Sequence, residues 1–296
     1  MKETFLQKNF RLESTELINN CNEIVSDYLG QGLRLTLRQL YYQLVTKNII
    51  TNEEKSYSNL SRVVSDGRLA GLIDWDAIED RIRVPVIQSE FKDLKALVNA
   101  AIYSYRLPRL ASQKNYLELW VEKDALAGVL RPIARQYHIT MMVNRGYSSQ
   151  SAMYESAKRF GYEQNGIRNL FLLYLGDFDP SGEDMVRDIS NRMEIFGVNV
   201  IVKKIALNMD QVKYYNPPPN PAKKTDPRSK KFIAKHGASS WEVDAINPAE
   251  LSRIIKSEIE SHLDMDLIKI IIDKENEDKE RLLKSVDQIM SGGNKQ

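Results

Sequence analysis

Residues 169–182 read NLFLLYLGDFDPSG, a long apolar run closed by two aspartates, a proline and a glycine. NLFLLYLGD (169–177) is almost uniformly apolar, the composition of a strand buried on both faces. A helix follows over 181–196, with Met185, Val186, Ile189 and Met193 on one side. Moving upstream, SQSAMYESAKRFG is a helix capped by Ser148 or Ser149, ITMMVN (139–144) is a strand, and DALAGVLRPIARQYH is a helix despite Pro132. Upstream again, YLELWVE (116–122) is a strand; downstream, VNVIVKKIAL (198–207) is another. Strand–helix alternation of this kind predicts a parallel sheet with right-handed crossovers.

Two strand ends carry the chemistry. Strand 116–122 finishes in Glu122-Lys123-Asp124, and strand 169–177 runs out into Asp177-Phe178-Asp179-Pro180-Ser181-Gly182. Parallel strands set their carboxyl ends along one sheet edge, where open α/β domains bind ligands. Glu122, Asp177 and Asp179 converging there would repel one another without a hard cation, and an all-carboxylate set suits Mg2+ or Mn2+. Gly182, opening the next helix, leaves backbone room for a phosphate at the helix N-terminus. A plainer reading also stands, in which Asp177 and Asp179 form an Asx-turn or N-cap pair.

The first third reads as helical. Residues 13–29 form an amphipathic helix ended by Gly30-Gln31-Gly32, and Thr36 caps a second, LRQLYYQLVTKN. Leu37, Leu40, Tyr41, Leu44 and Val45 are its buried stripe; Ser58 caps a third helix with Leu60, Val63 and Val64 inward. Two helices about a turn suggest a helix-turn-helix or winged-helix unit over 31–86, with a generic helical bundle as the rival. A further helix over about 88–105 leads to the Leu107-Pro108-Arg109 break. The expected division is a helical, winged-helix-like DNA-binding domain at 1–110 and a metal-binding α/β domain with C-terminal helices at 111–296.

Composition excludes several classes. The chain has 296 residues, 42% hydrophobic and 28% charged, with a net charge of +2, so only local clustering bears on nucleic acid. One cysteine, Cys21, forbids an internal disulfide or a multi-cysteine zinc site, and three histidines make a zinc hydrolase improbable. No apolar run reaches a membrane span, and MKETFLQKNF lacks a signal-peptide core; a cytoplasmic protein without membrane contact is expected. Residues 203–235 hold nine Lys/Arg, Lys223 and Lys224 among them, against Asp210 and Asp226, with five of the ten prolines. That pattern reads as a basic loop or extended arm. WEVDAI, with Glu242 and Asp244, reads as a sheet edge rather than as further metal ligands.

The order of strand–Glu, a βα unit, then strand–DxD resembles the Toprim domain of topoisomerases, primases and related nucleases. More narrowly, TLRQLYYQ, VEKDAL and GDFDPSGED resemble the A subunit of type IIB topoisomerases (topoisomerase VI) and the related meiotic recombination nuclease, over about residues 33–200. Gly146-Tyr147-Ser148 is similar to the family's glycine turn. The resemblance implies a winged helix followed by Toprim, a tyrosine at Tyr42 that forms a 5′-phosphotyrosyl link to DNA, and a homodimer in which tyrosine and metal site come from different protomers. Ser181 stands where the family has a third acid, and the 203–235 segment has no counterpart. The chain has no nucleotide-binding glycine loop, so any ATPase is a separate subunit.

Helical phase separates the adjacent tyrosines. Tyr41 falls on the apolar stripe; Tyr42 leaves it and shares a face with Arg38, whose charge favours phenolate and holds phosphate. The other reading of Tyr42 is a half-buried phenol that only hydrogen-bonds. Arg62 and Arg68 are candidate DNA contacts on the third helix, and Lys123 either neutralises a phosphate or pairs with Asp124. The expected function is Mg2+-dependent DNA strand cleavage with Tyr42 as nucleophile and Glu122 as metal ligand or general acid/base. A water-using Toprim nuclease and a non-catalytic DNA-binding protein are the alternatives.

Overall fold

The computed structural model describes residues 2–79, 88–144, 146–221 and 226–292. Helices α1 (Leu12–Gly30), α2 (Leu37–Thr46) and α3 (Glu54–Leu69) open the chain. The start of α2 is fixed by a capping box: the Thr36 hydroxyl accepts from the Gln39 N–H, and the Gln39 side chain accepts from the Thr36 N–H. Ile18, Cys21, Leu35, Leu40, Leu44, Leu60 and Val63 close the core between the three helices. Helix α3 begins a turn before the expected Ser58, after Glu53. Among the described residues the strand content of this unit is two isolated bridges, Thr4 with Ala70 and Leu35 with Ile78. The end of the expected winged-helix unit lies outside them.

Helix α4 (Leu94–Ser104), capped by Asp93, leads to the α/β layer. Its elements are β1 (Asn115–Val121), α5 (Ala127–Tyr137), β2 (Thr140–Val143), α6 (Gln150–Asn165), β3 (Asn169–Leu175), α7 (Pro180–Ile195) and β4 (Ile201–Ala206). The four strands are parallel, in the order β2-β1-β3-β4. Side chains alternate across β1: Leu117, Leu119 and Val121 join the core that includes Leu130 and Ile133 of α5, while Trp120 joins the one that includes Phe160 of α6 and Ile189 of α7. Glu118, fully buried on that second face, is held by Arg159 at 2.9 Å and by the Trp120 indole at 2.8 Å. After β1 the chain crosses to β2 on one side; after β3 it crosses to β4 on the other. The crevice between the ends of β1 and β3 is therefore the switch point at which such sheets bind ligands.

The described parts of the 203–235 segment, 203–221 and 226–235, are folded rather than an extended arm. They contribute the end of β4, then α8 (Met209–Tyr215), β5 (Asn220–Pro221) and most of α9 (Ser229–His236). Phe232 anchors α9 by packing on Phe178, and several bases are paired: Lys203 with Glu258, Lys204 with Glu183, Arg228 with Asp226 and Asp184. The chain continues through β6 (Ser239–Ser240), α10 (Pro248–His262) and α11 (Met265–Gly292). WEVDAI is a bridge and a 3-10 turn instead of a sheet edge: Trp241 exchanges backbone hydrogen bonds with Phe178, and Val243–Ala245 coils against α2. Ala245 thereby enters the core of the N-terminal helices. Among the described residues no helix is long and apolar enough to cross a membrane.

Candidate carboxylate and tyrosine site

The sheet brings Glu122 and Asp177 together. Backbone pairing runs one residue past β1, with the Glu122 N–H on the Leu175 carbonyl at 2.9 Å. The Glu122 carboxylate then accepts from the Asp177 N–H at 3.1 Å and from the Tyr174 hydroxyl at 3.4 Å. Gly176 permits this, because a Cβ there would sit 2.8 Å from Glu122 Oε2. Burial, with the Asp179 charge nearby, raises the Glu122 carboxyl above its usual range. Asp179 caps α7, accepting from the Gly182 N–H at 2.6 Å and the Ser181 hydroxyl at 2.9 Å. The turn itself requires a glycine at 182: a Cβ would lie 2.1 Å from the Asp177 carbonyl oxygen.

Asp177 spends its carboxylate elsewhere. One oxygen takes the Lys123 ammonium at 2.8 Å and the other accepts from the Val243 N–H at 3.0 Å. Lys123 also reaches Glu242 at 3.0 Å and Asp244 at 3.3 Å. Arg38 completes the cluster with two Nη2 contacts of 2.6 Å to the Glu242 oxygens, and its Nε lies 3.5 Å from Asp244. Burial opposes charge on Lys123, but Asp244, Asp177 and Glu242 outweigh it and raise its pKa. Burial likewise pushes Asp177 up to about 6, against the pull of Lys123, and raises the fully buried Asp244. Glu242 shifts downward: burial opposes its charge, yet Lys123 and Arg38 prevail. Three acids share two cations here, so both cations stay charged. The cost of surplus negative charge falls on the two most buried acids.

Tyr42 is not exposed. Tyr41 and Tyr42 are 5% and 3% accessible, because α2 is packed by helices on one side and by the 243–245 turn on the other. Tyr41 hydrogen-bonds Asn52 at 2.9 Å and meets Tyr57 edge-on. Tyr42 lies under the Arg38 guanidinium, 5.9 Å from ring centre, with Glu242 beside it. Burial first, then Glu242, raises its pKa, and the opposing pull of Arg38 is too small to favour phenolate. Both tyrosines nevertheless line a cavity of about 380 Å³ that also presents Arg38, Asp177, Asp179 and Glu242, with Tyr57 and Trp241 in its wall. The tyrosine and the DxD acids meet within one chain.

The remaining candidates separate. Arg62 is a surface residue bonded to Asn59 at 2.8 Å and paired with Asp66. Arg68 is engaged in the fold, donating to the Trp75 and Ile78 carbonyls and covering the Trp75 ring. Lys223 and Lys224 lie outside the described residues. Sequence reasoning set aside Glu242 and Asp244; their spacing, i and i+2 after a tryptophan, was the available signal. Lys204, which donates to the Asp177 carbonyl at 2.7 Å, carried none.

The donor set has the chemistry of a hard cation site, all carboxylate oxygen. Among the described residues no three such side chains form a ready-made cage. Mg2+ needs less, because one or two carboxylates with waters and substrate phosphate commonly suffice. Glu122 and Asp179 fit that demand, since neither is ion-paired among the described residues and their charges already act on each other. Asp177 is committed to Lys123 and Val243. Comparison with known proteins finds no matching family model, no similar curated protein and no similar solved structure.

Proposed function

We propose that this chain cleaves nucleic-acid phosphodiesters, with DNA as the substrate, at the cavity between α2 and the β1/β3 switch point. One observation carries the reading: Tyr42, from the N-terminal helices, and Asp177 and Asp179, from the sheet edge, line the same cavity. Arg38 is the only basic residue among the lining residues, against five acids. A phosphate entering such a wall requires added positive charge, which Mg2+ or Mn2+ held by Glu122 and Asp179 would supply at the transferring phosphate. Lys123 and Arg38, already ionised, sit where an anionic substrate can draw them from Glu242. Tyr42 Oη attacks phosphorus as the bond to the 3′ oxygen breaks. Once Lys123 and Arg38 have turned to the phosphate and no longer hold Glu242 low, the phenolic proton passes to Glu242, the carboxylate beside the hydroxyl, and the leaving oxygen is protonated by water.

A second reading has a specific observation in its favour. Tyr42 is buried and its pKa is raised, which suits a nuclease that uses activated water and keeps Tyr42 as a wall of the site. Both readings share the carboxylates and the DNA substrate. The homodimer and the separate ATPase belong to the proposal only through the family resemblance. The test is cleavage of labelled DNA with and without Mg2+ or Mn2+, together with calorimetric metal titration of Glu122→Gln and Asp179→Asn. Metal-dependent cleavage lost in both variants, with weakened metal binding, supports the proposal; unchanged binding and cleavage in both would refute it.

A further inference from the structure

Among the described residues, β2 is an outer strand of the sheet. The Asn144 N–H reaches the Val121 carbonyl of β1 at 2.8 Å, so residues of even number in this strand face β1. By the alternation of strand backbones, the N–H and C=O groups of Met141 and Val143 point outward. Alongside runs a groove of about 380 Å³ lined by Arg131, Arg135, His138, Thr140 and Met141. Arg131 and Arg135 are exposed and one turn apart on α5, and among the described residues no ion pair or hydrogen bond engages either guanidinium. Arg109, in contrast, is tied to Glu275 and the Gln136 carbonyl.

We propose that this edge docks an extended acidic peptide segment of a partner protein, which adds as a fifth strand beside β2 and sets its carboxylates against Arg131 and Arg135. The spacing fits: residues four apart on a helix rise about 6 Å, and alternate side chains of a strand stand about 6.6 Å apart. Charge decides the occupant. A second copy pairing through its own β2 would oppose Arg131 and Arg135 to the same pair, a like-charge contact. A nucleic-acid backbone offers phosphate acceptors only, leaving the outward carbonyls of Met141 and Val143 facing anionic oxygen. An acidic strand satisfies both the edge and the guanidinium pair.

The proposal is independent of cleavage. It is tested by fluorescence anisotropy of the full chain with a dye-labelled VEVEVEV peptide, the same peptide N-methylated at alternate amides, and a dye-labelled single-stranded oligonucleotide. Saturable binding of the plain peptide is expected, weakened at least tenfold by N-methylation and by Arg131→Glu with Arg135→Glu. Circular dichroism checks that the double variant is folded, and the N-methylated peptide tests the unaltered protein if it is not. No saturable peptide binding, or equal affinity for the methylated peptide, would overturn the inference. So would oligonucleotide binding that displaces the peptide and is lost on charge reversal, which would make the groove a nucleic-acid surface.

Discussion

Arg38 and Glu242 are 204 positions apart in the chain, yet Arg38 Nη2 lies 2.6 Å from both carboxylate oxygens of Glu242. Arg38 belongs to α2 and Glu242 to the segment that bridges Phe178 at the sheet edge, so the pair ties the tyrosine helix to the carboxylates. The Arg38 side chain is half exposed, which places its worth above an open surface pair and below a fully buried one. A double-mutant cycle of Arg38→Met and Glu242→Gln, read by chemical denaturation, should give a coupling of about 1–2 kcal/mol. Strict additivity would mean that the pair contributes nothing to holding the two units together.

Gly182 offers a test of the strand-to-helix turn. Its missing Cβ is what lets the Asp177 carbonyl approach α7, so Gly182→Ala should destabilise the protein by about 1–3 kcal/mol and displace Asp177. Gly161, inside α6, is the control: an added Cβ would meet only Val198 at 3.9 Å. Gly161→Ala should therefore stabilise the protein, by about 0.5–1 kcal/mol. Equal effects of the two substitutions would contradict a close approach of the Asp177 carbonyl to Gly182.

The apolar run from Asn169 to Leu175 was readable because a strand buried on both faces has no polar positions to confuse its period. The parallel order and the pairing of Glu122 with the DxD turn followed from it. The phase of α2 was harder. Its apolar stripe correctly identified Tyr41 as buried, but nothing local announced that residues 243–245 return to cover the opposite side and bury Tyr42. The basic segment misled for a related reason: Phe232 packing and ion pairs to Glu258, Glu183 and Asp184 are long-range, and composition is blind to them. Glu242 and Asp244 become site residues only through contacts with Lys123 and Arg38, both more than a hundred positions away.

Among the bases of that segment, Lys230, Lys231 and Lys235 are exposed on α9. With Lys213, exposed on α8, they are the described lysines of the segment that no ion pair engages, and they are available for non-specific contact with phosphate. Lys230→Glu with Lys231→Glu should weaken DNA binding and flatten the slope of log K against log salt by about two units or more, since each lost phosphate contact removes about 0.9. Titration at several salt concentrations reads this directly, and an unchanged slope would place the DNA path elsewhere.

In the proposed reaction Tyr42 acts on the phosphodiester bound beside Asp177 and Asp179. Tyr42→Phe removes one oxygen and preserves the ring under Arg38, whereas Tyr41→Phe removes the hydrogen bond to Asn52 at a cost of about 1 kcal/mol. Labelled DNA is incubated with each protein and Mg2+ or Mn2+, then resolved by denaturing electrophoresis with and without protease. Wild type and Tyr41→Phe should leave protein attached to the 5′ end at the break, and Tyr42→Phe should give neither break nor adduct. Cleavage by Tyr42→Phe at the wild-type rate, with no protein on either end, would contradict the tyrosine mechanism and leave activated water as the nucleophile.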